Sequence, residues 1–203
     1  MFYEPANRDR DLLPHDPFKA IVAPRPIGWI SSLSEDGKPN LAPYSFFNAI
    51  CAAPPMVMFC SDSEKDSVAN IRRTGEFVTN YVGAAFTEAM NMTSIDAPHG
   101  VNEFELAGLH HEPSHLVAPP RVAGIAAALE CRLAQIVELV DAQGSRTASI
   151  MVIGEVVGVY IDDAMIREGR FDVAAAGHLT RLGYRDYQGP EGYFEMIRPN
   201  WRG

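Results

Sequence analysis

The chain is short of the residues that many small-protein chemistries need in clusters. It has three cysteines, Cys51, Cys60 and Cys131, an odd number with no CxxC spacing. A disulfide framework or a zinc finger requires close pairs, so these read as small buried hydrophobes of a reducing compartment. Positive charge is also scarce: 17 Lys+Arg against 26 Asp+Glu give a formal net charge of −9. A nucleic-acid footprint needs clustered cations to displace counterions, and none is expected here. No apolar run reaches the roughly 20 residues that span a bilayer; the longest, around Ala49 to Cys60, is broken by Pro54 and Pro55. The N-terminus, MFYEPANRDRDLLPHDPF, carries charges where a secretory signal would place its apolar core. There is no GxSxG elbow, no P-loop and no GxGxxG following a strand, so acyl transfer, nucleotide hydrolysis and a Rossmann-type site lack support. A cytoplasmic protein with no nucleic-acid or membrane partner is the expectation.

What is present is an ordinary globular composition, 47% apolar and 21% charged over 203 residues, enough for one core without staples. With no repeat or linker, residues 1–203 read as a single domain, residues 1–20 forming an N-terminal extension. Pro24-Arg25-Pro26 forces an extended entry. Ile27–Leu33 reads as a strand, Asp36-Gly37 as the centre of a hairpin turn, and Leu41–Ile50 as the returning strand. Met56–Cys60 is a short apolar strand. Ser67–Thr74 has helical spacing, with Asp66 as N-cap and Gly75 at C′. Glu76–Val82 resumes a strand, Phe86–Thr93 and Asn102–Leu109 predict short helices, and His110–Pro120 is an irregular crossing. Ala123–Val140 is ambiguous. Its propensity is helical, yet Leu129, Cys131, Leu133, Val137 and Leu139 alternate as one strand face, and a turn at 141–145 followed by the β-rich run 148–161 favours a hairpin. The sum is six or seven mostly antiparallel strands with three or four short helices, a β-barrel or sandwich with additions.

Three stretches carry more polar and turn-forming residues than a plain barrel needs: residues 24–32, residues 40–48 and residues 60–67. Together they would suit a flat, phosphorylated cofactor. Arg25 and Lys65 supply charge, Ser45, Ser61 and Ser67 supply hydroxyls, and a helix N-terminus supplies free amides. Tyr44, Phe46 and Phe47 supply an apolar wall. Taken one at a time these residues are unspecific, since aromatics are usually core and Lys65-Asp66 could simply start a helix. His110, His111 and His115 lack a thiolate or carboxylate at metal spacing, so no metal is expected.

In combination the stretches carry a resemblance. PRPIGWISSLSEDGKPNLAPYSFFNAI, then PPMVMFCS with KDSVANIRRTGEFVTNYV, then EFELAGL and HLTRLGYRDY resemble, from about Arg25 to Tyr187, the flavin reductase-like, FMN-binding split-barrel proteins. That family includes flavoredoxin-like proteins and the reductase components of two-component monooxygenases. The resemblance implies a six-stranded antiparallel Greek-key split barrel, a homodimer, strand rather than helix at 127–140, and FMN rather than FAD as cofactor. It implies hydride transfer from NAD(P)H, with a monooxygenase or another redox protein as partner; an electron carrier or an FMN-binding protein without nicotinamide turnover is the alternative. Carried over by position, the cofactor residues are Arg25, Trp29, Ile30, Ser31, Ser32, Tyr44, Ser45, Phe46, Phe47, Asn48, Ser61, Lys65, Asp66 and Arg181, with His178 a candidate on the nicotinamide side. Tyr184 departs from the pattern, where family members often carry a second glycine.

Overall fold

In the computed structural model, which describes residues 1–190 and Gly192, seven strands form one antiparallel sheet. They are β1 (Gly28–Leu33), β2 (Pro39–Tyr44), β3 (Phe47–Ala52), β4 (Pro55–Ser61), β5 (Glu76–Asn80), β6 (Ala127–Val140) and β7 (Arg146–Ile161). Their order across the sheet is β2-β1-β5-β6-β7-β4-β3. The two edge strands, β2 and β3, are consecutive in the chain and joined only by Ser45 and Phe46. Laid flat, a sheet of this width would hold its edges about 29 Å apart. Three peptide units span at most about 11 Å. The sheet must therefore roll until its edges converge at Ser45-Phe46, the seam, although β2 and β3 do not pair with each other.

This mainly β, rolled architecture is the split barrel that the sequence leads one to expect. Seven strands fall within the six or seven read from the residues, one more than the six that the resemblance implies. Leu41–Ile50 is two strands on opposite edges, not one, because the chain leaves β1's side at Tyr44 and rejoins the sheet beside β4, where the Phe46 carbonyl accepts the Cys60 amide at 2.8 Å. The ambiguous segment is strand. β6 is paired on both sides, with β5 and β7, and those ladders override its helical propensity. Its polar face is not all solvated: Glu130 is buried and accepts the amides of His115 and Leu116 at 2.8 and 2.5 Å, tying down the 110–120 crossing.

Two apolar clusters fill the roll. One centres on Trp29, Leu41, Val78, Met90, Phe104 and Ile125. The other joins Ile30, Phe59, Val68, Ile71, Phe77 and Val152. The helix Asp66–Thr74 lays Val68 and Ile71 on the second cluster and ends at Gly75, whose φ of 75° suits glycine. Its start corrects one expectation. Asp66 is the first helical residue and not the cap; its carboxylate instead contacts His99 Nδ1 at 2.6 Å and accepts the Gly100 amide at 3.1 Å. The other predicted helices are shorter, Thr87–Met92 and Glu103–Leu106, the latter capped by the Asn102 side chain. Among the described residues no helix is long and apolar enough to cross a membrane.

Candidate functional site

The seam residues open onto a continuous groove. Its main cavity, about 850 Å³, has Ile27, Pro43 and Met90 as apolar lining, Ser45 and Asn91 as polar lining, and Lys19, Arg25, Arg181 and Arg185 as cations against only Asp16 and Glu88. A locally positive wall on an acidic protein favours an anionic ligand. Pro43 and Ser45 pass into a second hollow of about 210 Å³ with Tyr44, Phe46, Ser61 and Lys65. Tyr44 and Lys65 in turn face a third, about 230 Å³, beside Asp66, Ser67, Asp96 and Glu103. The combined space is ample for a nucleotide-sized ligand.

The middle hollow fits a phosphate. Ser61 is 2% exposed and its Oγ is buried without a hydrogen-bond partner, which is costly unless something else binds there. Lys65 Nζ lies 3.5 Å from Asp62 and 4.0 Å from Asp96, a loose arrangement that a phosphate could displace. The first helical hydrogen bond runs from the Ala69 amide to the Lys65 carbonyl at 3.0 Å, so the amides of the preceding turn have no helical acceptor. Burial raises the Tyr44 hydroxyl above its ordinary pKa, against the opposing pull of the Ser67 and Ser61 hydroxyls beside it, and burial likewise raises the Glu103 carboxyl, although the Leu41 amide works against that shift.

The residues named from the sequence divide into four groups. Ser45, Phe46, Tyr44, Ser61, Lys65, Asp66, Arg25 and Arg181 line the groove. Trp29, Ile30, Ser31 and Ser32 do not reach it, because β1 is paired on both edges and buried on both faces. Trp29 Nε1 donates to Thr93 at 2.9 Å, Ser31 Oγ donates to the Pro120 carbonyl, and Ser32 accepts from Asn70 at 3.2 Å. Phe47 and His178 line a separate apolar pocket of about 540 Å³, with Ile27 as the wall shared with the main cavity. Asn48 is exposed and accepts the neighbouring Ala49 amide.

Arg25 has a different task from the one its charge suggests. It is 6% exposed. Nη1 donates to the carbonyls of Lys19 and Val22, and Nη2 to that of Leu182 at 2.8 Å. It thus clasps the N-terminal helix Phe18–Ile21 to the turn at residues 182–186. Burial, with Arg181 close by, lowers its pKa. The clasp is tight: a Cβ on Gly183 would lie 2.3 Å from Ala20 Cβ. Lys19 and Arg25 sit 5.6 and 5.9 Å from the Phe46 ring centroid. Sequence reasoning missed Asp16, Lys19, Met90, Asn91 and Glu103, since nothing local marks them; the cluster of aromatic and charged residues at 183–187 was the available signal for the far wall.

A model of the flavin reductase like domain matches residues 22–183. An uncharacterized protein of Deinococcus radiodurans is 37% identical over 192 residues, 88% of this chain and 82% of its own length. Nitrilotriacetate monooxygenase component B from Bacillus cereus superposes with a TM-score of 0.88 at 26% identity, over 97% of this chain and 98% of that one. The 2-nitrobenzoate 2-nitroreductase of Pseudomonas fluorescens gives 0.85 at 28% identity, over 98% and 96%.

Proposed function

The chain belongs to the flavin reductase-like domain family, and from that premise we propose that it binds FMN along the seam and reduces it with NAD(P)H, supplying electrons to a monooxygenase or another redox partner. The observation that carries this reading is the unpartnered Ser61 hydroxyl beside Lys65 at one end of a groove whose other end is positively charged. Ser45, Ser61, Lys65 and the helix amides would hold the phosphate. Pro43, Phe46, Ile27 and Met90 would flank the ring. Bound flavin supplies the hydride-accepting ring system. Arg181 and Lys19 put positive charge on the wall of the cavity, where a ring that has gained electrons needs it. No side chain has to move a proton for the hydride step, so the lack of an acid-base dyad among the described residues of the groove is consistent with catalysis.

Single-domain behaviour over residues 1–203, whose last residues lie mostly outside the described part, and a cytoplasmic homodimer belong to the same proposal. Edge strand β3 supports the dimer, since Ala49, Ile50, Cys51 and Ala52 are all exposed, an apolar edge that a lone barrel would leave open to water. Ile50→Lys should convert the dimer to monomer in sedimentation velocity; a wild-type monomer would refute the assembly.

The deciding experiment is the absorbance spectrum with added FMN, before and after anaerobic NADH or NADPH. A bound-flavin spectrum that bleaches establishes the reductase and its donor. Binding without bleaching moves the protein to the electron carriers or passive FMN binders. No binding removes the flavin reading altogether.

A further inference from the structure

Tyr184 has a φ of 53°, in the left-handed region that favours glycine. Burial does not compensate for that conformation, since Tyr184 is 51% exposed. The turn does not need a side chain at this position either. It closes through main-chain bonds, from the Leu182 amide to the Asp186 carbonyl at 3.0 Å and from the Asp186 amide to the Gly183 carbonyl at 2.9 Å. Arg181 reaches the Tyr184 carbonyl, again a backbone group. Glycine would satisfy all of this with less strain, so the ring is what tyrosine adds.

That ring lines the main cavity. It meets the His15 imidazole edge-on, with centroids 5.8 Å apart and planes at 61°, and this contact steadies it from the N-terminal side. The same cavity is lined by Ile27 and Met90, and by Arg181 and Arg185 together with Asp16 and Glu88. A half-exposed aromatic side chain in a cavity that also holds two guanidinium groups suits a flat ring borne by a negatively charged molecule.

We propose that Tyr184, braced by His15, is a specificity-determining residue: its ring stacks on a planar ring of an anionic co-substrate, whose charge Arg185 takes. The assignment of that co-substrate as the hydride donor rests on the function proposed above; the stacking contact does not. Two sources share the chemistry, a reduced nicotinamide dinucleotide and a simple aromatic carboxylate.

The test measures NADPH binding through its own fluorescence, on flavin-free and FMN-loaded protein, with benzoate as competitor. Tyr184→Gly should weaken NADPH roughly five- to twentyfold, in the range of one aromatic stack. Tyr184→Phe should restore it to within about twofold, since the face of the ring is retained. The FMN dissociation constant should stay within about twofold in both, and the melting temperature of Tyr184→Gly should hold or rise as strain is relieved. Competition by benzoate that Tyr184→Gly also weakens extends the site to aromatic carboxylates; no competition assigns it to the dinucleotide, and both support stacking. Unchanged NADPH affinity in Tyr184→Gly, equal loss in Tyr184→Phe, or no NADPH binding to either form of the wild type overturns the proposal. Failure of FMN to bind, with the Tyr184 effect intact on flavin-free protein, would sink the proposed function and leave this inference standing.

Discussion

The inner and outer walls of the groove are built by opposite means. The inner wall, Pro43 to Phe46, is backed by β1, whose residues from Gly28 to Ser32 are all buried and whose both edges are hydrogen-bonded to neighbours. The outer wall is made from the chain's two ends, the segment around His15–Val22 and the turn at 181–187, where most side chains are exposed and the regular elements are only two to four residues long. One buried cation, Arg25, joins the ends. The most motif-like stretch of sequence is thus spent on packing, while the side chains free to meet a ligand come from less patterned segments. The inner wall can fix a ligand's position because it cannot move, and the outer wall can vary what is admitted because little else depends on it.

The largest effect should come from breaking the inner wall. Trp29 is fully buried, and Trp29→Ala should cost about 3–5 kcal/mol in a urea titration, with the loss the same whether or not flavin is present during unfolding. A variant that folds normally but loses only FMN would return Trp29 to the ligand site. Breaking the clasp should come next. Arg25→Ala strands three carbonyls in part-buried positions and should cost roughly 2–4 kcal/mol. Limited proteolysis should then cut near Lys19 and Arg185 before the barrel. Arg25→Lys should rescue little, because an ammonium cannot reproduce the two-sided fork.

The same contrast explains what could be read in advance. The hairpin at Asp36-Gly37, the helix stop at Gly75 and the apolar strand before Ser61 rest on local chemistry and are where the sequence places them. The break at Ser45-Phe46 is not local. Alternation across 41–50 continues smoothly, and only the pairing of β2 with β1 and of β3 with β4 shows that one run serves two edges. Ser45, Ser61, Lys65 and Arg181 come together around the groove, as their chemistry suggests. Trp29 to Ser32 do not, because alternation reveals two faces but not that both are covered. Lys19 and Tyr184 became site residues only when the chain ends met, a contact with no signature in either segment. Helix propensity at 127–140 lost to ladders formed with residues some fifty positions away in β5.

A smaller effect separates binding from stability within the groove. Lys65 Nζ is half exposed and held, among the described residues, only by Asp62 and Asp96, so Lys65→Ala should leave the unfolding midpoint unchanged. FMN affinity should fall by about 1–3 kcal/mol, the value of a charge-assisted hydrogen bond, while riboflavin affinity stays put because it has no phosphate. Calorimetric titration of both ligands checks this; equal weakening would take Lys65 away from the phosphate.

The smallest effect is a pH dependence that belongs to the barrel and not to the groove. Glu130 is 3% exposed; burial raises its pKa, but the amides of His115 and Leu116, with the His115 side chain, outweigh that and hold it below the ordinary carboxylate value. A carboxyl whose folded pKa is depressed contributes stability above its unfolded pKa, about 4.3, and loses it as pH falls through the folded value. Glu130→Gln should therefore unfold about 1–2 kcal/mol more easily than wild type at neutral pH. The gap should begin to narrow below the unfolded pKa and vanish only once the pH has fallen through the lower folded value, where the wild-type carboxyl takes up its proton. Urea midpoints of both proteins at three pH values decide it. A gap that is the same at every pH would mean that shape, and not charge, anchors the crossing. FMN affinity at neutral pH should be equal in the two proteins, because Glu130 secures the 110–120 crossing and does not line the groove.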